Sequence, residues 1–230
     1  MTFDSVYVWV SLKAALRCLH VTLLLSIVSL VLGMVLGTPL ALCRKFRVRF
    51  AAQAADVLIP VLKGIPLVLY VLILNFAILK PLDALAESCA WADKLRLMDK
   101  IYIGLAALSA YSAVIVSETM RSALNSVPEG QYEACFSVGL TRGQALRRVI
   151  MPQALAFAVP VLCNNFIGLI KGSSIVYVIE ILDVLGGAMA SAQVSYRFLE
   201  AYIAAALVYW VLCAGAGRGS KILEKRFAGR

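Results

Sequence analysis

The chain has 230 residues, 62% of them hydrophobic and only 15% charged, with a mean hydropathy of +0.88. A soluble domain this apolar would lack the polar surface to cover itself, and runs of roughly 20 apolar residues recur, so the chain reads as an integral membrane protein. The net charge of +9 sits in short segments between those runs, with no basic stripe interleaved with aromatics. That distribution argues against nucleic acid as a partner and follows the positive-inside rule.

The opening residues MTFDSVYVWV lack the basic n-region and small-residue cleavage site of a removed signal peptide, so the first apolar segment is expected to stay as a membrane helix. That segment runs from about Ala14 to Cys43, carries Gly33 and Gly37 at a spacing that lets a second helix approach, and ends in Arg44, Lys45, Arg47 and Arg49. The basic cluster places this end in the cytoplasm and the N-terminus outside. A second segment, Ala54 to Leu79, is interrupted by Pro60 and by Lys63-Gly64-Ile65-Pro66. A kink or unwinding is expected there, covered by protein or lining a water-filled cavity. Two roles stay open for Lys63, a functional charge beside the break or a side chain that snorkels to the surface.

The stretch from Pro81 to Lys100 has mixed charge and suits the outside, with Ala84–Leu97 as a candidate surface helix. The third segment, Ile101 to Leu124, contains Glu118 and Arg121 at a spacing that permits an ion pair. Next comes a polar run from Ser126 to Pro152 with the marks of a helical hairpin. Ser126 with Glu129, and Thr141 with Gln144, have the form of capping boxes; Gly139 can adopt the left-handed conformation between two short helices, and Pro152 is expected to stop the second. Arg142, Arg147 and Arg148 again mark the cytoplasm. The fourth segment continues past Pro160 and Asn164-Asn165 to Ile170, with an interruption at Lys171-Gly172-Ser173-Ser174. Ile175–Leu185 then reads as a short re-entrant or surface helix ending at Gly186-Gly187, and a last segment from about Phe198 to Gly217 leads to a basic tail. Five crossings, N-terminus outside and C-terminus cytoplasmic, satisfy every loop; a sixth through Ile175–Leu185 would put the basic tail outside.

None of the six cysteines forms a CxxC pair, and they read as small hydrophobes; His20, the single histidine, has no companion ligands for a metal. No cofactor and no catalytic group are expected.

Glu133-Ala134, then Gly139 after a three-residue spacer from Cys135, then Ile150 and Pro152 resemble the cytoplasmic EAA loop of ABC-importer permease subunits. That loop reads Glu-Ala-Ala, three residues, Gly, and a spacer to Ile-x-Leu-Pro; here Cys135 stands for the second Ala and Met151 for the Leu. The likeness continues through Gln153-Ala154, Pro160, Asn165, Lys171–Ser174 and Phe198-Leu199-Glu200-Ala201-Tyr202, and covers about Leu12 to Phe227, weakest from Leu79 to Asp99. It is closest to permeases for polar amino acids, which usually show Lys-Asp-Thr-Ser and Arg-Gly-Thr-Pro where this chain has Lys171-Gly-Ser-Ser and Lys63-Gly-Ile-Pro.

The resemblance implies an all-α, polytopic importer-permease (MetI-like) fold in the bacterial inner membrane, as one domain over residues 1–230 with the coupling loop at 126–152. It implies that Glu133, Ala134, Phe136, Gly139, Leu140, Thr141 and Pro152 carry the coupling to a separate ABC ATPase, with Phe136, Val138 and Leu140 as apolar anchors. The chain has no GxxxxGK[ST] phosphate loop of its own. It further implies an extracytoplasmic solute-binding protein and a second permease subunit, identical or related, in the same lipid bilayer. A solute path is expected near Lys63, Gly64, Pro66, Asn165, Lys171, Ser173 and Ser174, where helix ends and lysines could receive a zwitterion; seating the helices is the competing role for both lysines. A secondary transporter would need more helices, internal repeats and buried carboxylates for ion coupling, and an intramembrane enzyme would need a converged nucleophile and base. The substrate stays open among cystine, a basic amino acid or opine, and glutamine or glutamate.

Overall fold

The computed structural model describes residues 3–86 and 100–228, and within them the chain is helical with no strand. The first apolar run is two helices, α1 (Ser5–Arg17) and α2 (Leu19–Lys45), separated at Cys18. Asp4 caps α1 through its side chain, which explains why the helix starts well before the apolar stretch. The second run is α3 (Ala51–Lys63) and α4 (Leu67–Ala86), bent by 107° at the break. The expected surface helix at Ala84–Leu97 lies mostly outside the described residues.

Helix α5 (Lys100–Ser126) is the most buried span and the hub of the bundle. Its partner is α2, and the two glycines explain the closeness. A Cβ on Gly33 would stand 2.1 Å from Ser112 Oγ, and one on Gly37 would stand 2.5 Å from the Ala113 carbonyl oxygen. Glu118 pairs across this interface with Arg44 of α2, not with Arg121 of its own helix. Arg44 also reaches Asp56 of α3.

The hairpin follows as α6 (Glu129–Ser137) and α7 (Arg142–Ala145). Beyond it, a single π-turn (Leu146–Ile150) runs directly into α8 (Met151–Gly172) and a 3₁₀ segment (Ser173–Ile179), so 142–179 is one continuous helical rod. Two expectations change here. Pro152 does not stop a helix; it directly follows the π-turn at the start of α8, inside the continuous rod. Lys171–Ser174 is not an interruption but a tightening from α to 3₁₀ geometry, which keeps the backbone bonded.

Glu180 ends that rod with φ of +66°, and α9 (Val184–Ser195) begins after it, capped by Asp183. Gly186 and Gly187 therefore lie inside a helix rather than ending one, because α9 must approach α1; a Cβ on Gly187 would meet the Ala14 carbonyl and Cys18 Sγ at 2.8 Å each. Helix α10 (Phe198–Ala228) closes the bundle and carries the basic tail as helix. At 12 residues α9 is too short to span a bilayer. Four described helices are long and apolar enough to cross, and the bent pair α3–α4 brings the number to five as one span.

Candidate coupling hairpin and solute cavity

The hairpin is built from local signals. Gly139 turns the chain at φ +80°, and nothing lies within 4 Å of where its Cβ would stand. Its amide bonds back to Phe136, and the Leu140 amide to Cys135. Thr141 and Gln144 form a reciprocal capping box, with the Gln144 amide donating to Thr141 Oγ1 at 3.4 Å and the Thr141 amide to Gln144 Oε1 at 2.9 Å. The other expected box is absent. Helix α5 runs on through Ser126, whose hydroxyl donates to the Ala123 carbonyl at 2.8 Å, and Pro128 opens α6 without a side-chain cap. Ser126 finishes one helix instead of starting the next.

Val127, Leu124 and Ile150 are buried in one apolar cluster with Ala41 of α2 and Ala154 of α8, and Tyr132 and Leu146 pack on it. The hairpin is thus rooted in the bundle at both ends. Its outer edge is bare. Glu133, Ala134, Gly139 and Thr141 are exposed, as are the large apolar side chains of Phe136 at 47% and Val138 at 75%; Leu140 is half-buried. Beside them a cavity of about 420 Å³ is walled by Lys45, Phe46 and Arg47 on one side and Tyr132, Glu133, Phe136 and Arg142 on the other. Burial pushes the Tyr132 phenol above its ordinary range, and its hydroxyl has no hydrogen-bond partner among the described residues.

The residues expected along a solute path fall in two groups. Leu67, just past the Lys63–Pro66 break, meets Gly172 of α8, where a Cβ would stand 2.8 Å from Leu67 Cδ2. The two polar stretches are therefore neighbours in space, although more than 100 residues separate them in the chain. Lys63, Gly64, Pro66 and Lys171 are exposed. Ser173 is buried with its hydroxyl turned back to the Ile170 carbonyl, and Ser174 bonds the Lys171 carbonyl, so neither hydroxyl faces a cavity unpaired. Asn165 donates to Thr119 Oγ1 at 3.0 Å and, with Asn164, Gly168, Tyr111 and Leu67, lines a cavity of about 190 Å³ between α4, α5 and α8. Tyr111, Asn164 and Gly168 join the residues expected along the path; the polar Tyr111 in the third apolar run and the Asn164-Asn165 pair in the fourth were the available signals.

The break itself is finished by side chains. Tyr70 donates at 2.9 Å to the Leu62 carbonyl, which also accepts the Ile65 amide at 3.1 Å but has no i+4 donor because that residue is Pro66. Tyr70 also stands edge-on to Tyr111, with ring centres 5.7 Å apart, which joins the break to the cavity wall.

Residues 29–229 match the family of binding-protein-dependent transport system inner membrane components. The arginine transport system permease protein ArtQ of Bacillus subtilis is 34% identical over 86% of this chain and 84% of its own length. The octopine transport system permease protein OccM of Rhizobium radiobacter is 32% identical over 97% of this chain and 90% of its own. A solved structure of an amino acid ABC transporter with histidines superposes with a TM-score of 0.83 at 29% identity, covering 98% of this chain and 100% of that one. On this evidence the chain belongs to the binding-protein-dependent transport system inner membrane components, as a multi-pass inner-membrane permease subunit of an ABC-type amino-acid transporter.

Proposed function

We propose that this subunit imports a small polar amino acid, driven by ATP hydrolysis on a separate ABC ATPase that docks on the α6–α7 hairpin. The observation that carries the reading is the hairpin itself, capped at α7 and rooted in the core at both ends, yet presenting Phe136 and Val138 to the exterior. A helix that docks in a partner's groove needs such apolar anchors, and a lever that transmits force needs stiffness. Glu133, Ala134, Gly139, Leu140 and Thr141 form the contact, and Pro152 sits where the hairpin passes into α8. The fold gathers the basic segments at one end: Lys45 contacts Tyr132, and Phe227 lines a cavity with Pro152 and Leu155. That end is the cytoplasmic one, which leaves the N-terminus outside, where an extracytoplasmic solute-binding protein delivers the amino acid. A second permease subunit completes the path.

The solute passes along the cavity at Asn164, Asn165 and Tyr111, between the stretches Lys63-Gly64-Ile65-Pro66 and Lys171–Ser174. The two lysines favour the carboxylate of a zwitterion, and Gly64 and Pro66 form the break that brings Lys63 beside the path. The relatives' printed names span arginine and octopine, so the class is proposed and not one compound.

In proteoliposomes holding the assembled transporter, radiolabelled arginine, cystine and histidine are offered with the cognate binding protein. Asn164→Leu is expected to lower uptake at least tenfold while the ATPase stays bound, as for loss of one oriented polar contact of about 1.4 kcal/mol or more. Uptake equal to the parent protein would refute the solute path. Failure of the permease to co-purify with any ABC ATPase would refute the wider reading.

A further inference from the structure

The end of α2 carries two adjacent cations with partners on different elements. The Arg44 side chain is 4% exposed, and its guanidinium is shared, with Nη1 donating to Glu118 of α5 and Nε donating to Asp56 of α3 at 2.7 Å. Lys45 donates to Asn125 of α5 at 3.0 Å and lies 5.4 Å from the ring centre of Tyr132 in α6. Two neighbouring residues thus connect the hairpin to α3.

Helix α3 is lightly held. It buries Ala52, Ala55 and Ile59, with Val114 of α5 in the same small cluster, and leaves Val57, Leu58 and Val61 exposed. Both of its ends are pivots. Arg47 and Phe50 in the linker before it have positive φ, 51° and 60°, and the 107° break follows it. Residues in that region of backbone space are strained unless their surroundings hold them, and such strain collects at switching segments.

The two arms of Arg44 are unequal. The Asp56 side chain is 54% exposed and the Glu118 side chain 29%. An ion pair with an exposed partner is weak, whereas removing every partner from a buried guanidinium is costly. Letting go of Asp56 still leaves Arg44 paired with Glu118, so no orphaned buried charge results. This makes the Asp56 arm releasable and the Glu118 arm permanent.

We propose that Arg44 and Lys45 form the transmission joint of the transporter, with Arg44–Asp56 as a latch that α3 leaves when the hairpin moves. Tyr132 carries the motion to Lys45, the end of α2 shifts, and α3 turns on its two pivots, displacing Leu67 from the wall of the solute cavity. These are positioning residues that never touch solute, and the inference rests on the ATP-driven reading above.

The test uses the full transporter in proteoliposomes, with the six native cysteines replaced by alanine and Ile59→Cys plus Val114→Cys introduced. Without nucleotide a disulfide is expected to form, and its yield should fall with ATP and vanadate. Asp56→Asn should lower the nucleotide-free yield and raise ATPase activity in the absence of binding protein, each by about two- to fivefold, the range set by an exposed ion pair. Asp56→Glu should restore both, which a merely structural residue would not do. Oxidising the parent double-cysteine protein should abolish stimulation of the ATPase by binding protein, and reduction should return it. An intact, ATPase-bound complex with a nucleotide-independent cross-link, or Asp56→Asn indistinguishable from the parent, would overturn the latch and leave the importer reading standing. Absence of ATPase association would overturn both.

Discussion

Gly139 is the one glycine of the chain with positive φ, among the described residues, and its surroundings are open. A substitution there is penalised by backbone conformation and not by lack of space. Gly139→Val should strain the turn by about 1–2 kcal/mol, while Asn, which tolerates left-handed geometry, should be milder. The expected outcome is normal insertion with lost coupling, read as the ratio of amino acid taken up to ATP hydrolysed; an unchanged ratio would contradict the role given to the hairpin. Gly139 and the Thr141–Gln144 box were legible in the sequence because each acts over six residues or fewer. Ser126 was misleading for a reason of the same kind. Its motif is local, but the length of α5 decides which helix it serves, and that length is set by packing against α2. Arg44 was legible only as a topology marker, since its partners lie 12 and 74 residues away.

At the scale of elements, the seam between α2 and α5 holds the bundle together. Gly33 and Gly37 permit a backbone approach that no side chain could share. In lipid, where apolar burial gives little drive between helices, close packing of this kind carries much of the association. Gly37→Leu should push the two helices apart at Ala113 and Ser117 and cost about 1–3 kcal/mol or more, the range for overpacking a tight core. A lower thermal midpoint in detergent, measured by scanning fluorimetry, checks this; Gly215→Leu, on an open face of α10, serves as the silent control. The small-residue spacing gave this contact in outline, without naming its partner. The break at Lys63–Pro66 was readable from proline and glycine. Its 107° angle was not, because Tyr70 and the α4–α5 contact fix it.

Across the whole molecule, two polar anchors hold the end of the bundle that carries α9. Asp183 is fully buried, accepting from the Gly186 amide at 2.9 Å and the Tyr209 hydroxyl at 2.6 Å, while Thr22 Oγ1 accepts from the Val184 amide at 3.1 Å. Glu200, also buried, accepts from the Asp4 amide at 3.2 Å and so ties α1 to α10. At the rim, Lys100 pairs with Glu180 and holds that carboxyl below its ordinary range. Asp183→Ala would remove the acceptor of the Tyr209 hydroxyl and the side-chain cap at the start of α9, at about 1–3 kcal/mol for a group left unsatisfied. The expected result is reduced thermal stability and faster proteolysis near α9 in detergent. A variant as stable as the parent would show that this carboxylate is not structural. Sequence placed Asp183 in a short outer helix. Its burial depends on α2, α9 and α10 meeting, which involves residues some 160 positions apart.

The π-turn at Leu146–Ile150 has a consequence for how homologous chains can vary. It inserts one extra residue into the rod that starts at the hairpin and ends beyond the solute cavity. Each residue of an α-helix advances the face by about 100°, so deleting a single residue here would rotate Asn164 and Asn165 away from Tyr111. The turn sets the angular phase between the hairpin and the cavity lined by Asn164 and Asn165. The exposed Arg147 and Arg148 can vary more freely than the buried Ile150, but the number of residues in the segment cannot change.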